Sequence, residues 1–300
     1  MRRRLWAWAT ATTLALAAVL AAGCSAEPAA GHHAASLGPL GFWNRSRLLA
    51  ASPLGEERPA QGEQPDQPGQ PASARTAGTR SALRVGALFE HDASGNHFCT
   101  ASVVASPQRD LLITAAHCIN GGKGSSGYDS NIVFIPGYRN GEAPFGVWTP
   151  AQLIVAPQWA QSSDPDYDIG FVVLQPSNGR TIEQVLGANR LAEDTGYEYL
   201  VHVTGYPNSA NEPITCVNWT SRQSLTQLRF ECAGYSGGTS GSPWVTRFDT
   251  SSRTGTIVGV IGGYQEGGDT DSVSYSVRLG AATMRLYQQA VADENADAHS

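Results

Sequence analysis

The sequence predicts an all-β fold, a sandwich or a pair of barrels, and three observations carry that expectation. Charged residues make up only 15% of the 300 positions while Gly alone numbers 33, a balance that suits turn-rich sheets better than a helical bundle. From residue 83 onward, short β-forming runs alternate with turn residues, at 83–89, 97–104, 111–114, 132–135, 152–155, 169–174, 200–204, 225–231, 242–245, 257–261 and 273–277. That span is long enough for two barrels in one chain. Helical periodicity is confined to the end, at 280–292, where Met284, Tyr287 and Val291 share one face and predict a helix docked on the last barrel.

The elements before residue 83 read differently. Arg2, Arg3 and Arg4 precede an apolar run over 5–22 that ends in small residues, the order of a secretory signal peptide at 1–23. The run approaches the length of a bilayer span, but its small-residue end favours cleavage over anchoring. Leu20-Ala21-Ala22-Gly23-Cys24 is similar to the lipobox of bacterial lipoproteins, with Ala21 in place of a larger aliphatic residue. Acylation of Cys24, giving a membrane tether, and ordinary cleavage nearby stand as alternatives. Residues 24–80 are rich in Ala, Pro, Gly and Gln and predict a linker or a pro-segment outside the core. One apolar island, Leu37, Leu40, Phe42, Trp43, Leu48 and Leu49, slightly favours a pro-segment that touches the folded domain, and a sticky stretch of disordered chain accounts for it equally well. The domain itself is expected at 81–292, with a tail at 293–300.

Charge and cysteine count narrow the function. A net charge of −6, with no basic run beyond the first residues, gives phosphate backbones nothing to condense on and argues against a nucleic-acid partner. Setting Cys24 aside leaves Cys99, Cys118, Cys216 and Cys232, and proximity along an exported chain pairs Cys99 with Cys118 and Cys216 with Cys232. Zinc is the rival use of cysteines, but neither a CxxC spacing nor a histidine cluster accompanies them. No metal and no cofactor is expected; Asp269 and Asp271 read as a solvated turn rather than a calcium loop.

Three segments carry chemistry. An apolar strand at 111–114 runs into Ala115-Ala116-His117-Cys118, which places an imidazole at a strand end stapled by a half-cystine, the rigid seat that a general base needs. The other six histidines lie in linker, tail or ordinary strand settings. Asp168 immediately precedes the run at 169–174, where a buried carboxylate can accept the Nδ1 proton of His117; Asp164 and Asp166 lie further into a Pro-containing loop where solvation is the default. The strongest signal is Gly237-Gly238-Thr239-Ser240-Gly241-Ser242-Pro243. Its glycines let the backbone bend so that the Ser240 hydroxyl projects, and leave the amides of Gly238 and Ser240 as an oxyanion hole.

TAAHC, YDIGFVVL and GGTSGSP together resemble the motif set of trypsin-like serine peptidases of the chymotrypsin clan, and TSGSP is similar to the bacterial glutamyl-endopeptidase branch. The resemblance covers roughly residues 83–290, with the chain order His, Asp, Ser that this clan uses. It implies two six-stranded antiparallel Greek-key barrels with a C-terminal helix, a triad of His117, Asp168 and Ser240, a disulfide from Cys99 to Cys118 bracing the histidine loop, and a protein or peptide substrate. Two departures stand out. Thr239 occupies the place where trypsin has the Asp that pairs with the new N-terminus, so a trypsin-style activation switch is not expected. Ile261 stands where the glutamyl peptidases have a His, and the implied pocket, walled by Tyr235, Ile261, Gly262 and Gly263, predicts an apolar or small side chain before the scissile bond. The whole reads as a secreted, monomeric serine endopeptidase; an esterase with the same triad and an inactive binding module are the alternatives.

Overall fold

The computed structural model describes residues 38–54, 72–78, 83–193, 196–207 and 211–297. Short elements come first: helices α1 (Pro39–Phe42) and α2 (Arg45–Ala50), then strands β1 (Ser52–Pro53) and β2 (Arg75–Thr76). Asn44 caps α2 by accepting from the Arg47 amide. The apolar island does touch the domain: Trp43 and Leu48 are buried against Val85, Phe89 and Val133. β1 pairs with His97 and Phe98, and β2 with Ile214 and Thr215, so packing reaches into the stretch whose composition predicted none. The signal-like run and Cys24 lie outside the described residues.

The first sheet holds β3 (Val85–His91), β4 (Asn96–Val104), β5 (Leu111–Thr114), β6 (Ser130–Pro136), β7 (Pro150–Val155) and β8 (Gly170–Leu174), in the order β6-β3-β4-β5-β8-β7. Helix α3 (Pro157–Ser162) lies between β7 and β8, and helix α4 (Ile182–Leu186) and the short strand β9 (Arg190–Leu191) follow β8. The second sheet holds β10 (Leu200–Gly205), β11 (Ile214–Arg222), β12 (Gln227–Glu231), β13 (Pro243–Asp249), β14 (Thr254–Val260) and β15 (Val273–Val277), in the order β15-β12-β11-β10-β13-β14 with β9 at the edge. Lettered a to f within each set, both follow the cyclic order d-a-b-c-f-e, a Greek key twice over. Only the seam differs. In the first barrel, Phe134 and Trp148 exchange backbone hydrogen bonds at 2.8 and 2.9 Å where the sheet's ends meet; in the second, the Gly262 amide donates to the Tyr275 carbonyl at 3.0 Å. The architecture is the trypsin-like two-barrel fold.

The unbroken apolar runs in β5 and β8 follow from burial on both faces. Leu112, Val172 and Leu174 point into the first barrel, whereas Leu111, Ile113, Phe171 and Val173 meet Val245, Ile257, Val260 and Val277 of the second. Each fully buried aliphatic or aromatic side chain in such a layer contributes about 2 kcal/mol. Helix α5 (Ala281–Asp297) closes this layer with Leu286 and Ala290. Its buried stripe is centred on those two residues, with Tyr287 and Val291 at the margin; the sequence face of Met284, Tyr287 and Val291 is displaced by one position because Ala290, too small to weigh in a periodicity, is what lets the helix approach. Both expected disulfides form, Cys99–Cys118 and Cys216–Cys232, with Cα separations of 5.9 and 6.7 Å.

Candidate active site

The histidine is fixed from three directions. β5 ends at Thr114, Ala115 turns extended, and a single 3-10 turn at Ala116–Cys118 carries His117 with only 7% of its surface exposed. Cys118 ties this turn to β4 through the disulfide. Trp159 of α3 sets its ring 6.3 Å from the imidazole and anchors its own indole NH on the Asn120 carbonyl at 2.8 Å.

Asp168 lies behind it, fully buried. A 3-10 turn at Pro165–Tyr167, capped by the Asp164 side chain, delivers the chain to Asp168 just before β8. Its Oδ2 is 2.8 Å from His117 Nδ1, its Oδ1 accepts from the His117 amide at 3.0 Å, and Oδ2 also accepts from the Gly263 amide at 2.8 Å. Burial alone pushes this carboxyl upward, but the charge and hydrogen bonds of His117 and the Gly263 amide hold it below its ordinary value. The two rival aspartates have other work: Asp164 caps the turn, and Asp166 accepts from Gln227 Nε2 at 2.7 Å.

The serine loop is wedged between the barrels. The Ser240 carbonyl accepts from the Thr100 amide of β4 at 2.8 Å, and the Gly241 amide donates to Ile261 at 2.7 Å. Gly241 has φ +81, and a Cβ there would lie 2.0 Å from the Thr100 carbonyl oxygen, so only glycine fits so close to the β4–β5 edge. Gly238, at φ +84, would likewise drive a Cβ to 2.8 Å from the Tyr206 carbonyl oxygen. The amides of Thr239, Gly241 and Ser242 are all spent inside the protein. Those of Gly238 and Ser240 have no such acceptor among the described residues. Thr239 is fully buried and satisfies itself locally, its hydroxyl donating to the Ser236 carbonyl at 2.6 Å.

A family model described as Trypsin matches residues 73–280. The chain belongs to the trypsin family. It is similar to the protease Anisep from Arthrobacter nicotinovorans, at 27% identity over 70% of this chain and 96% of that one with a TM-score of 0.63. The thermostable serine protease AL20 from an extremophilic microorganism is 26% identical over 71% and 99%, with a TM-score of 0.64. A Glu endopeptidase, 16% identical over 75% and 98% at a TM-score of 0.59, shares the fold. A curated relative, the extracellular metalloprotease of Bacillus subtilis (strain 168), is 28% identical over 89 residues, 30% of this chain; the chain spans about a quarter, 27%, of that relative's length.

This trypsin-family member brings His117 and Asp168 into direct contact and seats the Ser240 loop against the Thr100 and Ile261 backbones beside them. Tyr235 and Ile261 are both fully buried in the second-barrel core, with the Tyr235 hydroxyl donating to the Val203 carbonyl at 2.8 Å. Gly262 and Gly263 lie along Asp168: a Cβ on Gly262 would stand 2.9 Å from its Oδ2. Sequence reasoning missed Gln227. Buried on β12, it donates from Nε2 to the Pro165 carbonyl and to Asp166, and accepts the Tyr264 amide at 3.2 Å, tying together the loops on either side of Asp168. No motif marks it; a lone Gln in a strand reads as a surface residue.

Proposed function

We propose that the chain is an exported serine endopeptidase in which Ser240 attacks the scissile carbonyl, His117 takes its proton, and Asp168 holds the imidazole in the required tautomer. The oxyanion rests on the amides of Gly238 and Ser240 until water releases the acyl-enzyme. The observation that carries this reading is the buried His117–Asp168 pair at 2.8 Å next to a loop whose neighbouring amides are satisfied while those two are not. The word metalloprotease belongs to the Bacillus relative. Around His117 the sulfurs of Cys99 and Cys118 are bonded to each other, which removes them as thiolate ligands.

Export is supported by the N-terminal leader pattern and by the two disulfides, and among the described residues no helix is long and apolar enough to cross a membrane. Acylation of Cys24 would leave the enzyme tethered; N-terminal sequencing and intact mass of exported material report both events together. The self-contained Thr239 supports a loop that is ordered without a buried N-terminus, and the monomer needs no partner residue at the site. An apolar or small side chain before the scissile bond rests on the uncharged Ile261 position alone, since Tyr235 and Ile261 are both fully buried and present no surface to a substrate. Peptide-library cleavage with a strict Arg or Lys preference would overturn that and implicate Asp271, a buried acid whose backbone carbonyl receives the Tyr235 amide at 2.8 Å.

Casein cleavage and labelling by a fluorophosphonate are the decisive measurements. Both are expected in the parent chain, and Ser240→Ala should abolish labelling and lower turnover by roughly a million-fold. Labelling without casein cleavage would make it an esterase, and neither would make it a binding module.

A further inference from the structure

The hairpin formed by β3 and β4 buries a second constellation that the catalytic chemistry does not use. Glu90 and His97 are directly opposed across the two strands. Asp92, two residues beyond Glu90, starts the turn and so falls on the same face of the ribbon. One ligand atom from each of the three lies within 4.8 Å of the other two. Glu90 is fully buried, and neither of its carboxylate oxygens has a hydrogen-bond partner. Burial, with the nearby Asp129 and Asp92 carboxylates, pushes its acid up to about 9, and burial with Asp92 pushes Asp129 up to about 6. A strand that is otherwise Val-Gly-Ala-Leu-Phe has no packing reason to bury an unpaired acid, which costs several kcal/mol unless something compensates it.

We propose that Glu90, Asp92 and His97 bind one divalent transition cation of the zinc class at the turn end of this hairpin. Mixed imidazole and carboxylate donors suit zinc and its neighbours, whereas calcium prefers an all-oxygen shell. Asp92 Oδ1 is held by the Ser94 and Gly95 amides at 2.7 and 3.0 Å, leaving Oδ2 outside those bonds. The His97 ring has Nε2 2.8 Å from Ser94 Oγ and 3.4 Å from Asp92 Oδ1, and its buried Nδ1 is without a partner. Water completes the shell. The Cys99, His117 and Cys118 group is also close-set, but its sulfurs are consumed by the disulfide.

The test uses the full Ser240→Ala chain, stripped by chelator, then titrated with zinc chloride by calorimetry and by thermal unfolding. One equivalent should bind, and a hundredfold excess over Kd should raise Tm by about 5 °C. Glu90→Gln and His97→Gln should each weaken binding at least tenfold while keeping the metal-free Tm near that of the parent; should one of them fail to fold, the other decides. Equal zinc binding by parent and variants would move the ion elsewhere and overturn the proposal. So would a Tm raised by calcium but not by zinc, or by neither. Because Ser240 is absent from every sample, the outcome is independent of the proposed peptidase activity.

Discussion

Asp168 and Glu90 are carboxylates in one barrel, both with no exposed surface, and their surroundings drive them in opposite directions. Asp168 accepts three hydrogen bonds and faces an imidazole, which holds its acid below the ordinary value; Glu90 accepts none and faces other acids, which pushes it up to about 9. Burial is therefore no guide to charge state. The number and sign of the partners decide it. The arrangement differs for a reason visible in the chain: Asp168 stands where a turn ends and two loops converge, so backbone amides of His117 and Gly263 are available to it. Glu90 stands near the turn end of β3, paired with His97 of β4 and facing an irregularity in the pairing with β6, and no amide reaches its carboxylate.

The largest effect that would break this contrast is expected at Asp168. Asp168→Asn should keep the fold yet lower kcat/KM on a fluorogenic peptide about ten-thousand-fold, because an amide cannot fix the same imidazole tautomer. A loss under tenfold would mean that the pair at 2.8 Å does not orient His117 for catalysis. The same substitution should cost about 3 kcal/mol of stability at pH 7 by urea unfolding, since it strips the imidazole and one amide of a buried acceptor. The sign with pH follows from a folded value below the unfolded one near 3.8: the stabilisation is complete above that unfolded value and is lost as pH falls through the folded one. The gap between parent and variant should thus be full at pH 7 and shrink below pH 3.8. A gap that grew on acidification would reverse the assignment.

How much of this was legible in the sequence follows the same division between local and distant causes. Strands β5 and β8 and the three motif residues could be read because each is marked by its own neighbours: an apolar run, a half-cystine, a cluster of glycines. β11 could not. Its Ile-Thr-Cys-Val-Asn-Trp-Thr-Ser-Arg run leaves Val217 43% and Trp219 61% exposed, and a half-solvated strand without a clean alternation gives periodicity little to detect. Packing by the region before residue 83 was half hidden for another reason. Trp43 and Leu48 advertise a contact, but β2 is only Arg75–Thr76 and is held by backbone bonds to β11, which no side-chain pattern reveals. Gln227 and Glu90 were missed because a polar residue acquires meaning from groups 61 or 39 positions away, and sequence reading sees only its flanks.

Gln227 sharpens the comparison at intermediate size, since it supports Asp168 without touching it. Gln227→Leu removes the bonds to Pro165, Asp166 and Tyr264 and should cost about 1 to 2 kcal/mol. Turnover should fall by about tenfold with KM little changed, because the loops that present Asp168 and the Gly263 amide lose their common tie. A purely structural role would lower stability and leave kcat alone.

The smallest expected effect belongs to Glu90 and is the sharpest test of the contrast. With an acid at about 9, Glu90 is uncharged in metal-free protein at pH 7, so Glu90→Gln replaces one neutral group by another of nearly the same shape. Chelator-treated Glu90→Gln should therefore match the parent within about 1 kcal/mol in urea at pH 7, against the loss of about 3 kcal/mol forecast for Asp168→Asn. Two buried acids of one barrel would then answer the same substitution differently by about 2 kcal/mol, a margin that unfolding midpoints resolve. Equal losses would show that Glu90 is charged and paired in the folded chain, and the contrast between a saturated and an unsaturated carboxylate would fail at its foundation.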